Sequence, residues 1–434
     1  MSKMHIYKNI INVNFGILGV EFCWALLIPN CSAILLYLGA SASMLAYLWL
    51  LPPFVGLVIN PLVGHLSDLT TTRFGRRRPY IFGGIFAVCI FCTAIPYATS
   101  LWLGTILLAL LMAVLNFAQN PLRALTADII PKHHLTVGFS VQMIFFGLGA
   151  VFGAAMPWLF GDISFKFTGT HQPSFLTLAF FVGGVLTLLT GLWTCFFVKE
   201  KPCENNQDEK PGLKELFRVL FKMPPILRQI SLVQFLMWVG FFIMFAYYNV
   251  SIAQTLFGLP PGAKVMGNPI YSEIVKKATV FNSLCFIFFQ ASSFGVAFLI
   301  PVITTWIPRK IVATIALILG GLGLLSIPLK PEINYFTAAI TLGIAWGCST
   351  SVHLAMIASN LAKERMGLYN GLFLIANCLS QIVTGLIAGP VIKYVFHNHV
   401  FQIVAYSGLF FLVAAFCNQF IRDLGEVREE CEKP

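Results

Sequence analysis

Long apolar runs separated by short polar connections fill almost the whole chain, at nearly regular spacing. A membrane-spanning helix needs roughly 20 mostly apolar residues. Twelve stretches meet that length, at 10–38, 44–67, 79–98, 101–129, 137–161, 173–198, 227–256, 279–306, 309–328, 333–359, 369–396 and 400–421. The pattern therefore predicts an all-α membrane protein with twelve transmembrane helices. The first run carries Asn12, Asn14 and Glu21 with no small-residue cleavage site behind it, which reads as a retained helix rather than a signal peptide.

Composition agrees: 58% of the 434 residues are hydrophobic and the mean hydropathy is +0.82, more than the cores of soluble domains absorb. The net charge of +11 would suggest nucleic acid in a soluble protein, but its distribution points elsewhere. Connections after even-numbered runs hold Arg73, Arg76, Arg77 and Arg78, then Lys132, then Lys199 to Lys222, then Arg309 and Lys310, then Lys363 and Arg365; those after odd-numbered runs are poorer. By the positive-inside rule, both termini and the even connections face the cytoplasm. The bilayer, not nucleic acid, is the partner that this charge serves.

The longest polar stretch, Val198 to Arg218, divides the chain into a six-helix bundle at 1–198, a cytoplasmic linker at 199–226 and a second six-helix bundle at 227–434. The halves echo one another: "ADIIPKHHLTVGFSVQMIFFGLG" after run four parallels "ASNLAKERMGLYNGLFLIANCLS" after run ten. Two such halves are the mark of a transporter that works by alternating access around a midplane site. No nucleophile elbow, metal-spaced His/Glu cluster or phosphate-binding glycine loop is found, so the chain does not read as an enzyme and no cofactor or metal is expected. The eleven cysteines lie mostly inside runs; Cys89 and Cys92 form a C-x-x-C pair within an apolar helix, with no second pair to complete a metal site.

The connection after run two, "GHLSDLTTTRFGRRRPY", packs four arginines into six positions. Its Gly-x-x-x-Asp and Arg-x-Gly-Arg-Arg elements resemble the signature loop of the major facilitator superfamily. The longer spacing from Asp68 to "RFGRRRP" resembles the sucrose-transporter branch of the glycoside-pentoside-hexuronide:cation symporters. "GVEFCWAL", "NPLRALTADIIP", "VQFLMWVGFF", "GIAW" and "MGLYNGLF" extend the resemblance over essentially the whole chain. It implies proton-coupled uptake of a disaccharide or glucoside through a bacterial inner (cytoplasmic) membrane, by a multi-pass monomer with a small-molecule solute and the proton as its partners. Gly64, Asp68, Arg73, Arg76, Arg77, Arg123 and Asp128 are the expected gating residues, a latch made when the cytoplasmic side is closed.

Coupling requires an ionisable group within the membrane, where such residues are costly enough to be functional by default. Glu21 is the candidate, with Asn14 seven positions before it on the same helical face and Trp24 one turn after. The resemblance puts the family's usual coupling carboxylate eleven residues before Arg123, at Met112, which carries no proton. Two readings stay open: Glu21 has taken over the protonation role, or the protein is an uncoupled facilitator or exporter of a non-sugar solute. Sugars need paired donors and acceptors. Asn14, Trp24, Asn116, Gln119 and Asn120 in the first half, and Gln234, Trp238, Tyr247, Asn282, Trp346, His353 and Asn377 in the second, are the candidate substrate-binding residues. Isolated polar and aromatic side chains also serve as packing and interhelical glue in helix bundles.

Overall fold

The computed structural model describes residues 3–70, 72, 74–131, 134–163, 167–198, 200, 223–361 and 366–423, with some side chains inside helices excepted. The fold is all-α. Its helices are α1 (Lys3–Tyr37), α2 (Ala42–Leu48), α3 (Leu51–Leu69), α4 (Arg78–Ala94), α5 (Leu101–Ile129), α6 (Leu135–Leu159) and α7 (Ser174–Phe197). After the linker come α8 (Pro225–Leu256), α9 (Pro269–Ile303), α10 (Arg309–Ser326), α11 (Pro331–Asn360), α12 (Met366–Pro390), α13 (Val400–Tyr406) and α14 (Gly408–Asn418). Among the described residues eleven helical segments are long and apolar enough to cross a membrane, and Ala42–Leu57 is a shorter apolar helix.

Three departures from the apolar runs are seen, and the first two have local causes. The second run is broken between α2 and α3, where Pro52 and Pro53 supply no N–H for a continuing helix; Trp49 anchors the break by donating its indole N–H to Ser32 Oγ at 2.8 Å. Helix α9 starts ten residues ahead of the run that marks it, because Asn268 Oδ1 accepts from the amides of Ile270 and Tyr271 at 3.0 and 3.2 Å. The last run divides into α13 and α14 at Ser407.

Two compact units are formed, one of Met1–Asn205 with Phe257–Ile287, the other of Asn206–Leu256 with Phe288–Pro434. Most of the linker at 199–226 lies outside the described residues. In the first unit α1 is buried along most of its length, and glycines allow the close packing. A Cβ on Gly149 or Gly153 of α6 would collide with the carbonyl oxygen of Leu18 or Phe22, so the two backbones meet through a Gly-x-x-x-Gly seam. In the second unit Phe241, Phe242, Tyr247, Tyr248, Tyr335 and Phe411 are fully buried.

Candidate functional site

Glu21 lies midway along α1, and only 4% of it is exposed. Its partners come from α5. Gln119 Nε2 donates to Glu21 Oε1, and Arg123 Nη2 reaches the same oxygen at 3.3 Å. These donors stand one helical turn apart, so a single face of α5 meets the carboxylate. The Arg123 side chain is 47% exposed, and its guanidinium rests over the Phe146 ring, 5.6 Å from the centroid. The pair therefore joins a buried anion to a cation that is open at its other side.

Around this pair the sequence candidates divide. Trp24 is half-buried one turn beyond Glu21, with its indole N–H buried and without a hydrogen-bond partner. Asn116 donates to the Met112 carbonyl of its own helix at 2.9 Å, and Asn120 is half-buried. Met112 itself is buried. Asn14 belongs to a separate cluster. Its amide donates to the carbonyls of Ile10 and Gly138, both at 3.0 Å, while its oxygen accepts from Thr126 at 2.7 Å and Gln142 at 3.0 Å. Asn14 thus ties α1 to α5 and α6 with every polar group committed. Thr126 and Gln142 are partners that periodicity did not single out.

The arginine connection forms a second centre. Arg76 Nη2 and Arg77 Nε donate to the two oxygens of Asp128 at 2.6 and 3.1 Å, and Arg77 Nη1 donates to the buried Ser67 hydroxyl at 2.6 Å. Arg123 and Asp128, five residues apart on α5, accordingly take different partners. Gly64 and Asp68 fall on α3, but the surroundings of Gly64 and the side chain of Asp68 lie outside what is described, as does Arg73 altogether. Glu200, just past α7, was not a sequence candidate. Its carboxylate accepts from the backbone N–H groups of Arg76 at 2.5 Å, of Arg77 at 3.0 Å and of Arg78 at 3.0 Å. These amides lead into the first turn of α4, where backbone N–H groups have no partners within the helix and the helix dipole favours an anion. The signal was present in the sequence as an acid immediately after an apolar run.

The second unit repeats this arrangement. Arg309 at the start of α10 meets Asp423, beyond α14, at 3.3 Å. Asn360 at the end of α11 donates to the same carboxylate at 2.7 Å. In each half, then, the start of the third span, the end of the fourth and the stretch after the sixth are joined by polar contacts that include an arginine and an acid.

Further inside, His353 is fully buried between two amides, Gln234 Nε2 2.9 Å from Nδ1 and Asn418 Oδ1 2.9 Å from Nε2. Asn418 Nδ2 is committed to the Lys310 carbonyl and Thr314 Oγ1, which turns its oxygen toward the ring. His353 therefore donates from Nε2 and accepts at Nδ1, as a neutral imidazole does. Trp238 and Trp346 are half-buried and meet edge to face, 5.0 Å between centroids, beside Phe241 and Phe245. Tyr247 is fully buried, and Asn377 is buried with an unpartnered Oδ1. Asn282 packs in the first unit, donating to the Pro29 carbonyl at 3.0 Å. Among the described residues no group of three or more His, Cys, Asp or Glu side chains is placed to hold a metal ion.

Multi-pass helices with an ion pair inside the spans and charged clusters at one end of each half are the architecture of a secondary transporter. The chain belongs to the Major Facilitator Superfamily, whose family model matches residues 13–385. It is 23% identical to the sucrose transport protein SUT5 of Oryza sativa, over 89% of this chain and 83% of the relative. It is 26% identical to the sucrose transport protein SUC4 of Arabidopsis thaliana, over 86% and 82%. A partial match, 27% identical over 45% of this chain and 27% of the relative, is to human solute carrier family 45 member 4. The fold is similar to that of the nucleoside transporter NupG, with a TM-score of 0.69 at 14% identity over 95% of this chain and 98% of that one. It is similar also to a bacterial homologue of the lysosomal transporter Spinster, with a TM-score of 0.67 at 14% identity over 99% of both chains.

Proposed function

We propose that this transporter takes up a disaccharide or glucoside together with a proton, and that Glu21 is the coupling group. The observation that carries the reading is the Glu21–Gln119–Arg123 cluster, the ion pair among the described residues that lies inside the spans. A carboxylate buried within the spans would keep its charge only while Arg123 and Gln119 partner it. A proton on Glu21 would cancel its hold on Arg123, whose exposed side would then be available to solute hydroxyls. Proton binding and solute binding would be linked through one guanidinium, and the two states of the link supply the bias that alternating access needs. The similarity to sucrose transport proteins supports a sugar as the solute. The Arg76–Arg77–Asp128 cluster would act as the cytoplasmic latch, in a monomer of the cytoplasmic membrane.

Burial of Met112 at the position where the resemblance expects the coupling carboxylate favours a second reading, an uncoupled facilitator or exporter. One experiment separates the two. Radiolabelled sucrose uptake into proteoliposomes, with and without an inward proton gradient, is compared between the wild type and Glu21→Gln. Gradient-driven accumulation that the variant loses while it keeps counterflow exchange supports coupling at Glu21. Saturable uptake indifferent to the gradient supports the facilitator, and the absence of uptake removes sucrose as the solute.

A further inference from the structure

On the face of the first unit away from the arginine-rich connection, the end of α1, the α6–α7 connection and the first turns of α9 border an open pocket of about 560 Å³, with Glu273 at its exposed side. That is within the range of pockets that hold small molecules, roughly 300–1,000 Å³. Tyr37, Phe167 and Phe175 give it aromatic walls, and Gln172, Glu273 and Lys276 give it polar ones. Tyr37 is sixteen residues past Glu21 on the same helix, about 24 Å along the axis at 1.5 Å per residue, so this is not the Glu21 site.

Three of its polar groups are uncommitted. Gln172 is 6% exposed; its Nε2 donates to the Ile34 carbonyl at 3.4 Å, but its Oε1 is buried with no hydrogen-bond partner. A buried acceptor of that kind is costly unless a ligand group completes it. Glu273 and Lys276 are one turn apart on α9 and line the same cavity without forming an ion pair with each other. A carboxylate accepts from hydroxyls, an ammonium donates to them, and aromatic rings cover the apolar face of a pyranose. A net anion would meet Glu273 and a net cation Lys276, so the set suits a neutral polyhydroxylated molecule.

We infer that this cavity is a second solute site, an outer-face subsite that holds a sugar before it reaches the Glu21 centre. The ligand class rests on the sugar reading above; the site itself rests on the cavity and its uncommitted groups.

The test is protection from maleimide labelling in the purified full chain in detergent, with sucrose as the probe. Ser174→Cys reports on the cavity and Asn116→Cys on the Glu21 centre, each alone and each combined with Glu273→Gln. The inference expects sucrose to slow labelling of the Ser174→Cys protein. Glu273→Gln should raise the sucrose concentration needed there by about tenfold, the worth of one hydrogen bond to a charged group, and leave the Asn116→Cys protein unchanged. Protection of the Asn116→Cys protein alone overturns the outer site and leaves the sugar reading standing. Protection at neither position overturns both. Protection at Ser174→Cys that Glu273→Gln does not weaken overturns the assigned ligand set.

Discussion

Glu200 sits on the amino end of α4, with its carboxylate 2.5 Å from the backbone nitrogen of Arg76. The contact joins the exit of the sixth span to the entrance of the third, and it uses main-chain donors that no substitution at Arg76 other than proline removes. Glu200→Gln keeps the shape but removes the charge that faces the helix dipole, an interaction of about 1 kcal/mol in exposed or half-buried settings. The denaturation midpoint of the solubilised protein should fall accordingly, and an unchanged midpoint would show that the nest contributes nothing.

Gly75 beside it has a φ of +103°, and a Cβ there would collide with the Glu200 carboxylate. Gly75→Ala is therefore strained twice, in backbone and in contact, and should cost about 1–3 kcal/mol. Combining it with Glu200→Gln tests whether both act on one contact: a double variant no less stable than Gly75→Ala alone is expected, measured by the same denaturation series.

Asp128 keeps 24% of its side chain exposed, and ion pairs of that kind contribute roughly 0–1 kcal/mol to stability. Asp128→Asn should leave the denaturation midpoint almost unmoved while it loosens the proposed latch. Labelling of a cysteine placed at Asn116, reached from the cytoplasmic side in oriented vesicles, should become faster; an unchanged rate would argue that the cluster only anchors the connection.

Removing one member of a buried pair is worse than removing both, because the survivor is left uncompensated. Arg123→Leu should therefore lower stability more than Arg123→Leu with Glu21→Gln, and the difference measures the cost of the stranded carboxylate. The Arg123 side chain is 47% exposed, so a coupling of about 1–2 kcal/mol is expected rather than the larger values of fully enclosed pairs. Equal losses in single and double variants would mean that Glu21 is neutral in the resting protein.

Both ring nitrogens of His353 are satisfied by amides. His353→Leu would strand the Gln234 and Asn418 groups at a cost of about 2 kcal/mol or more, whereas His353→Gln should keep the response of uptake to a proton gradient. Loss of that response in the Gln variant, with normal stability, would make the imidazole a proton carrier.

The apolar runs made the helices legible because length and hydropathy alone decide which segments cross a bilayer. Charges and turn chemistry at the ends were harder to read. Helix α9 extends through Glu273, Lys276 and Lys277, beyond the apolar run that marks it, because Asn268 caps its first amides. At the centre, Glu21, Gln119 and Arg123 were each visible as polar residues on apolar helices. Periodicity gives the face a residue occupies and not the neighbour it meets. Asn14 and Glu21 share a face of α1, yet one is tied to Thr126 and Gln142 and the other to Gln119 and Arg123. Glu200 escaped for a related reason: its partners are main-chain groups 122 to 124 residues away, and no residue type marks an open amide.

The Gly149–Gly153 seam has a simple stability control, since a Cβ on Gly83 of α4 would meet nothing within 4 Å. Gly153→Ala should destabilise by about 1–3 kcal/mol, and Gly83→Ala should be neutral or stabilising by the helix preference of alanine. The seam also bears on motion. Where two backbones touch with no side chain between them, there is no ratchet of rotamers along which one helix could slip past the other. The α1–α6 pair would travel as a single lever, carrying Glu21 and the Phe146 ring together. Displacement at the Glu21 centre would then fall to α5, whose Pro121 interrupts the backbone ladder between Gln119 and Arg123.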